Sequence, residues 1–224
     1  MAKIIVTGAS RGIGLETVKS LLSLGHHVLA LSRTEVKLQH EQLDLLRTVS
    51  IDLAADDLTG VLDAIDDWSE IDGIVHNAGS FMHQPFTQTS SADFKAIYTV
   101  NVFAVAALTR LLDPKLKPGA HVVGISSMGG IQGSAKFAGL SAYSSSKGAL
   151  ITLFELLAEE YQNRGVSFNS LALGAVQTEM LEAAFPGLKA PLNAAQMGSY
   201  VAQFVLEGHR YFNGKVLPVS SSTP

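Results

Sequence analysis

Short apolar runs alternate with longer amphipathic stretches along almost the whole chain. Ile4-Ile5-Val6, His27 to Leu31, Arg47 to Ile51, Ile71 to Val75, His121 to Ile125, Val166 to Leu171 and Lys215 to Val219 read as strands. Between them lie helix-period patterns: an amphipathic helix ending near Leu24, an acidic one with Leu58, Val61, Leu62 and Ile65 on one face, and a long one from about Ser91 to Leu112. Ala142 to Asn163 and Ala194 to Leu206 complete the set, while the polar segment Thr34 to Leu46 supports only a short helix or a loop. Asp113-Pro114 and Pro118-Gly119 should end the long helix, because proline cannot continue it. Strands that alternate with helices predict an α/β chain with a doubly wound parallel sheet of about seven strands and helices on both faces. Neither an internal repeat nor a linker breaks the pattern. One domain over 1–224 is expected, with residues 220–224 frayed.

Composition agrees with buried strands. Of 224 residues 47% are hydrophobic and 16% charged, enough to build a core without disulfides or metal. The net charge of −4 carries no basic run, so neither nucleic acid nor an anionic membrane surface is an expected partner. With no cysteine the chain has no thiolate ligand, thiol nucleophile or disulfide. A strand begins after two residues and no uninterrupted apolar stretch approaches about 18, so neither signal peptide nor anchor is expected and the cytoplasm is the default compartment.

In open α/β sheets ligands bind beyond the carboxyl ends of the strands, and six such ends here carry unusual residues. They are the turn Thr7-Gly8-Ala9-Ser10-Arg11-Gly12-Ile13-Gly14, Arg33, Asp52-Leu53, Asn77-Ala78-Gly79, Ser126-Ser127, and Gly174 to Thr178. A strand running through a glycine-rich turn into a helix points backbone N–H groups at an anion, although the same turn also serves as a plain tight connection. Tyr143 and Lys147 are four residues apart at the start of a helix and so share a face. A phenol titrates near 10, and a cation within a few ångströms lowers it by about one to three units, so Lys147 would make Tyr143 a usable acid or base. Gly124-Ile125-Ser126-Ser127-Met128 lacks the second glycine of a hydrolase nucleophile elbow, and the seven histidines form no ligand cluster, His76 and His83 reading as packed or loop residues.

With these residues assembled, the chain resembles the short-chain dehydrogenase/reductase family in its compact form, over essentially its whole length. The resemblance rests on Thr7-Gly8-x-x-x-Gly12-x-Gly14, Asn77-Ala78-Gly79, and the set Asn101, Ser127, Tyr143 and Lys147. It implies a Rossmann-like fold and a hydride transfer between a nicotinamide and a carbonyl or alcohol. Tyr143 would be the proton donor or base, Ser127 the substrate-oxygen partner, Lys147 the ribose-binding cation, and Asn101 the holder of a relay water. Asn101 also reads as a helix-interior amide bonded to backbone. Ser127 is preferred to Ser126 because Gly130 follows it by three. On the cofactor side the resemblance assigns Gly8, Ser10, Arg11, Gly12, Ile13, Gly14, Arg33, Asp52, Leu53, Asn77, Ala78, Gly79, Tyr143, Lys147, Gly174, Val176 and Thr178. Arg33 at the end of the second strand, where an acidic residue would select NAD, and Arg11 in the glycine turn favour NADP(H). Asp52 is either an adenine contact or the cap of the next helix.

Two departures from the family pattern stand out. Leu173-Gly174 replaces Pro-Gly, and the C-terminal Ser-Ser-Ser-Thr-Pro lacks the usual glycine pair, which weakens the case for C-terminal packing in a tetramer. A homo-oligomer, dimer or tetramer, is implied, with a dimer through the helices starting near Ser91 and Ala142. The Gln132 to Leu140 loop carries a small insertion. Residues 179–192 form a short substrate lid whose Met180, Leu181, Phe185 and Leu188, with Met128 and Phe137, suggest a fairly apolar pocket. The alternative is a non-catalytic NADP-sensing protein on the same fold; it would be expected to lose Tyr143 or Lys147, and both are present.

Overall fold

A computed structural model describes residues 1–38, 41–54 and 57–220. Its strands are β1 (Lys3–Thr7), β2 (His27–Ser32), β3 (Leu46–Ser50), β4 (Ile71–His76), β5 (Leu116–Ser127), β6 (Ser167–Leu173), β7 (Val176–Gln177), β8 (Leu192–Asn193) and β9 (Lys215–Val219). The helices are α1 (Gly12–Ser23), α2 (Gly60–Asp63), α3 (Ser91–Tyr98), α4 (Ala104–Leu112), α5 (Ser141–Glu160), α6 (Glu179–Ala184) and α7 (Ala194–Glu207). Seven strands pair in parallel in the order β3-β2-β1-β4-β5-β6-β9. The chain thus winds outward from β1 in one direction and from β4 in the other, and the crevice between those two strands is where such sheets bind ligands.

The apolar runs are continuous because alternate residues feed two cores. Ile5, Leu29, Leu31, Ile74 and Val122 face Leu108, Leu112, Leu150 and Phe154 of α4 and α5. Ile4, Val6, Val28, Ala30, Val75 and Val123 face Val18, Leu21 and Leu22 of α1 and Met197, Val201 and Val205 of α7. With both faces covered, a polar residue at either phase would be buried without water. Close approach of α1 and α7 depends on Gly198, where a Cβ would stand 2.6 Å from the Glu16 carbonyl carbon.

Four local expectations change. The acidic helix shrinks to the four residues of α2, although Leu58, Val61 and Ile65 are still buried; the apolar spacing set which residues face inward, but Gly60 and the surrounding aspartates give a helix little intrinsic support. Pro118-Gly119 does not end an element before the fifth strand but lies inside β5, where the pairing with β4 shifts register between Ile71 and Gly73. The long helix is present, yet residues Thr99–Phe103 form a π turn between α3 and α4. The two-residue pair β7–β8, unforeseen in the sequence, brackets the segment expected to form the lid. Of the expected frayed tail, Ser220 is placed beside Gly174 and residues 221–224 lie outside the described residues.

Among the described residues one helix, Ser91–Lys115, is long and apolar enough to cross a membrane, with a mean hydropathy of 1.4 over its most apolar window. Its buried stripe of Ile97, Asn101, Val105, Leu108 and Leu112 lies within the fold, with Val105, Leu108 and Leu112 in the core against the sheet, the arrangement of an amphipathic core helix.

Candidate active site

A cleft of about 720 Å³ runs along the carboxyl ends of β1 to β6. At its centre, the turn after β1 is stitched to the end of β4. Thr7 Oγ1 accepts from the backbone N–H groups of Asn77 at 3.0 Å and Ala78 at 2.9 Å, and Asn77 Nδ2 donates to the carbonyls of Thr7 and Gly8 at 3.0 and 3.2 Å. Asn77 and Ala78 therefore hold the turn in shape. Gly14 is required by packing, since a Cβ there would sit 2.3 Å from the Gly8 carbonyl oxygen. Gly12 differs: it has φ +56°, and its Cβ would project toward Thr178 Cγ2 at 3.7 Å, into the cleft. Arg11, at the N-cap of α1, gives no side-chain cap, and the first turn holds no acidic residue, so the leading N–H groups of α1 are left for an incoming anion. Uncapped amides above a side-chain-free glycine are what a pyrophosphate needs, and these residues fit one.

At one end of the cleft, Ser50 Oγ donates to the Arg33 carbonyl at 3.1 Å, fixing the backbone while the guanidinium stays exposed. Asp52 Oδ1 accepts from Ala54 N at 3.0 Å. That bond closes a local turn; α2 begins only at Gly60, so Asp52 is not a helix cap. Arg11 Nη1 lies 2.7 Å from Glu179 Oε2 at the start of α6. Glu179 was not singled out in the sequence, where nothing but its place after Thr178 marks it.

At the other end, α5 presents Tyr143 and Lys147 to the cleft. Lys147 is 4% exposed and its Nζ donates to the Ile125 carbonyl at 2.8 Å, 5.8 Å from the Tyr143 ring centroid. Burial lowers the Lys147 ammonium to about 8. Burial also pushes the Tyr143 phenol up to about 12, against an opposing hydrogen bond from Ser127. The expected lowering of the phenol is therefore reversed in the free protein, because desolvation of a phenolate dominates.

The two candidate serines are separated by strand alternation. Ser127 Oγ faces the Tyr143 phenol, whose titration it lowers, and accepts from Gly129 N at 3.3 Å, whereas Ser126 Oγ is buried and donates to the Lys147 carbonyl at 3.0 Å. Asn101, fully buried in the π turn, uses both polar atoms: Oδ1 accepts from Ser80 N at 2.7 Å, and Nδ2 donates to Ser80 O at 3.0 Å and Ser146 Oγ at 2.9 Å. Ser146 Oγ in turn donates to the Tyr143 carbonyl at 2.7 Å. Ser146 thus ties Asn101 to the turn of α5 that carries Tyr143, a link that its place in Ser-Ser-Ser did not reveal.

Thr178 Oγ1 caps α6 by accepting from Leu181 N at 3.2 Å. Leu173, where the family has proline, is 7% exposed and continues β6, with Gly174 N donating to Val219 O at 3.0 Å. Ser10, Ile13, Leu53, Gly79, Gly174 and Val176 all line the cleft. His76 is buried against Thr109, 3.0 Å from its Oγ1, and held to about 3, while His83 sits in a loop. Among the described residues no three histidine or acidic side chains gather as a metal site would require.

Residues 2–189 match the family model described as short chain dehydrogenase. The chain belongs to the short-chain dehydrogenase/reductase family. It is 32% identical over 182 residues to L-xylulose reductase of Mesocricetus auratus, covering 79% of this chain and 72% of that one. It is 31% identical over 182 residues to carbonyl reductase [NADPH] 2 of Sus scrofa, with the same coverage. Among solved structures, a 4-hydroxyisoleucine dehydrogenase complexed with NADH superposes with a TM-score of 0.85 at 25% identity, covering 99% of this chain and 98% of that one. A short chain dehydrogenase from Salmonella enterica serovar Typhi gives 0.85 at 29% identity, covering 97% and 95%. By family, then, this chain is an oxidoreductase.

Proposed function

We propose that the chain is an NADP(H)-dependent oxidoreductase that reduces an aldehyde or ketone to an alcohol, or runs the reverse, with Tyr143 as the proton donor. The observation that carries the reading is that Ser127, Tyr143 and a buried Lys147 line one wall of the cleft together, with Lys147 Nζ 5.8 Å from the Tyr143 ring centroid. In this reading the turn from Gly8 to Gly14 and the first N–H groups of α1 bind the pyrophosphate, while Asp52, Leu53 and Ala78 flank the adenosine half. Gly79, Gly174, Val176 and Thr178 line the nicotinamide half. The bound nicotinamide would supply or accept the hydride. Ser127 orients the carbonyl oxygen toward the phenol, Tyr143 protonates it, and Lys147 holds a positive charge beside the resulting phenolate. Asn101 keeps Ser80 and α5 in register, and its π turn is the proposed place for a relay water.

NADP is favoured over NAD by charge. Arg33 follows β2, where an acidic residue would accept from ribose hydroxyls, Arg11 adds a second cation at the glycine turn, and the pig relative carries NADPH in its name. A homo-oligomer is part of the proposal, supported by Phe103 at 56% and Leu156 at 57% exposure on the two longest helical runs.

Steady-state oxidation of NADPH, with NADH in parallel, tests the reading on a panel of aldehydes and ketones. Tyr143→Phe should lower kcat at least about 100-fold, the usual scale of a lost general acid, while NADPH binding stays within about twofold. Unchanged turnover in Tyr143→Phe would remove the phenol as proton donor, and no carbonyl reduced at all would return the protein to a cofactor sensor.

A further inference from the structure

The walls of the cleft beyond Tyr143 carry a chemistry of their own. The Phe81 ring meets the Tyr143 ring edge to face with centroids 5.1 Å apart, and Phe137 meets Phe185 likewise at 5.9 Å. Met128, Leu181 and Leu188 line the same space, Leu188 being 39% exposed. Three separate segments build this wall and are tied together. Gln84 N donates to Gly139 O at 2.9 Å, His83 Nε2 bonds to the Ala138 carbonyl at 3.1 Å, and the His83 ring packs on Phe185 at 5.9 Å. Gly139, at φ +84°, is what lets the loops meet, because a Cβ there would lie 2.6 Å from His83 Cδ2.

The charged residues lining the cleft are all occupied or elsewhere. Arg11 and Glu179 pair with each other, Lys147 is bound to the Ile125 carbonyl, and Arg33 and Asp52 follow β2 and β3 at the other end. Gln177, the longest neutral polar side chain in the lining, spends its Oε1 on Ala190 N at 2.9 Å. A carboxylate would therefore leave water for a wall with no free cation, and a run of hydroxyls would find only short hydroxyl side chains such as Ser127 and Ser144 and the Gln177 amide, whereas a flat apolar group would gain ring contacts.

Resting on Tyr143 as the proton donor, we infer that the substrate is an uncharged carbonyl compound bearing an aromatic or similarly flat apolar substituent, held between Phe81, Phe137 and Phe185. This separates the chain from relatives named for a sugar, since a polyhydroxy ketone finds few groups here to bond.

The test compares initial rates with NADPH on 1-phenyl-1,2-propanedione, diacetyl, pyruvate and L-xylulose. The phenyl diketone should exceed each of the others at least tenfold in kcat/KM. Phe185→Ala should cost it about tenfold, mainly in KM, with diacetyl changed by no more than about twofold, and Phe185→Leu should recover most of the loss. Equal or better kcat/KM with pyruvate or L-xylulose, or an equal loss for all carbonyls in Phe185→Ala, would overturn the inference while leaving the reductase intact. Loss of every activity is the failure of the parent reading. In that event, calorimetric titration of acetophenone into the NADPH-saturated protein still decides the slot: binding weakened about tenfold by Phe185→Ala supports it, and absent or unaffected binding overturns it.

Discussion

Arg11 and Glu179, 168 positions apart in the chain, meet at 2.7 Å and join the glycine turn to the start of α6 across the mouth of the cleft. Both side chains are more than 70% exposed, so the pair adds little to folding; its importance is that it occupies the cation nearest the phosphate turn. Glu179→Gln is expected to release Arg11 and tighten NADPH about three- to tenfold without changing NADH, at nearly constant Tm. Arg11→Ala should weaken NADPH about tenfold and leave NADH within about twofold. Fluorescence titration with both coenzymes at low and high salt measures this, and equal shifts for the two would remove the 2′-phosphate assignment.

The pH dependence should follow Lys147 and not Tyr143. In the free protein Lys147 loses its proton near 8, two or more units below a solvated lysine, while Tyr143 holds its own to about 12. Carbonyl reduction, read as kcat/KM, is expected to fall with a single-proton slope above about pH 8 as the charge beside the phenol is lost. For stability the sign is opposite. Between about 8 and the unfolded value near 10.5 the unfolded chain holds more protons, so the Lys147 contribution rises with pH across that window, and below 8 the buried ammonium is a full cost. Tyr143 acts only above 10, where stability declines toward 12. Thermal melts from pH 7 to 10 should rise more steeply, or fall less, for the native chain than for Lys147→Met, and parallel curves would contradict the buried charge.

Two glycines of one turn should fail in different ways. Gly14→Ala pushes a methyl within 2.3 Å of the Gly8 carbonyl oxygen and is expected to destabilise the whole protein by several kcal/mol, visible as a large loss of Tm. Gly12→Ala meets nothing nearer than 3.7 Å and pays only for its positive φ, about 1–2 kcal/mol. It should fold, yet bind either coenzyme at least tenfold more weakly because its methyl enters the cleft. Circular dichroism melts beside coenzyme titration distinguish the two. A Gly12→Ala variant with native affinity would show that the cradle is used differently.

Much of this was readable in the chain. Strand positions followed from apolar runs because both sheet faces are covered, and Gly12, Tyr143 and Lys147 announced themselves by spacing. What was hidden depends on partners distant in sequence. Ser126 and Ser127 differ only in strand phase, which the Lys147 carbonyl and the Tyr143 hydroxyl reveal. The π turn at Asn101 has no composition of its own; it exists where Asn101 reaches Ser80 and Ser146. The upward shift of Tyr143 comes from its burial, which the four-residue spacing to Lys147 does not show. The short α2 shows the reverse error, in which apolar spacing identified the buried residues but overstated the helix that carries them.

Gly174 has its own practical consequence. Its N–H donates to Val219 O, and a Cβ on it would collide with Ser220 Oγ at 2.2 Å, so the last described residue rests against a turn that lines the cleft floor. A bulkier side chain at Ser220 would therefore press on the turn that lines the cleft, although the two lie far apart in the chain.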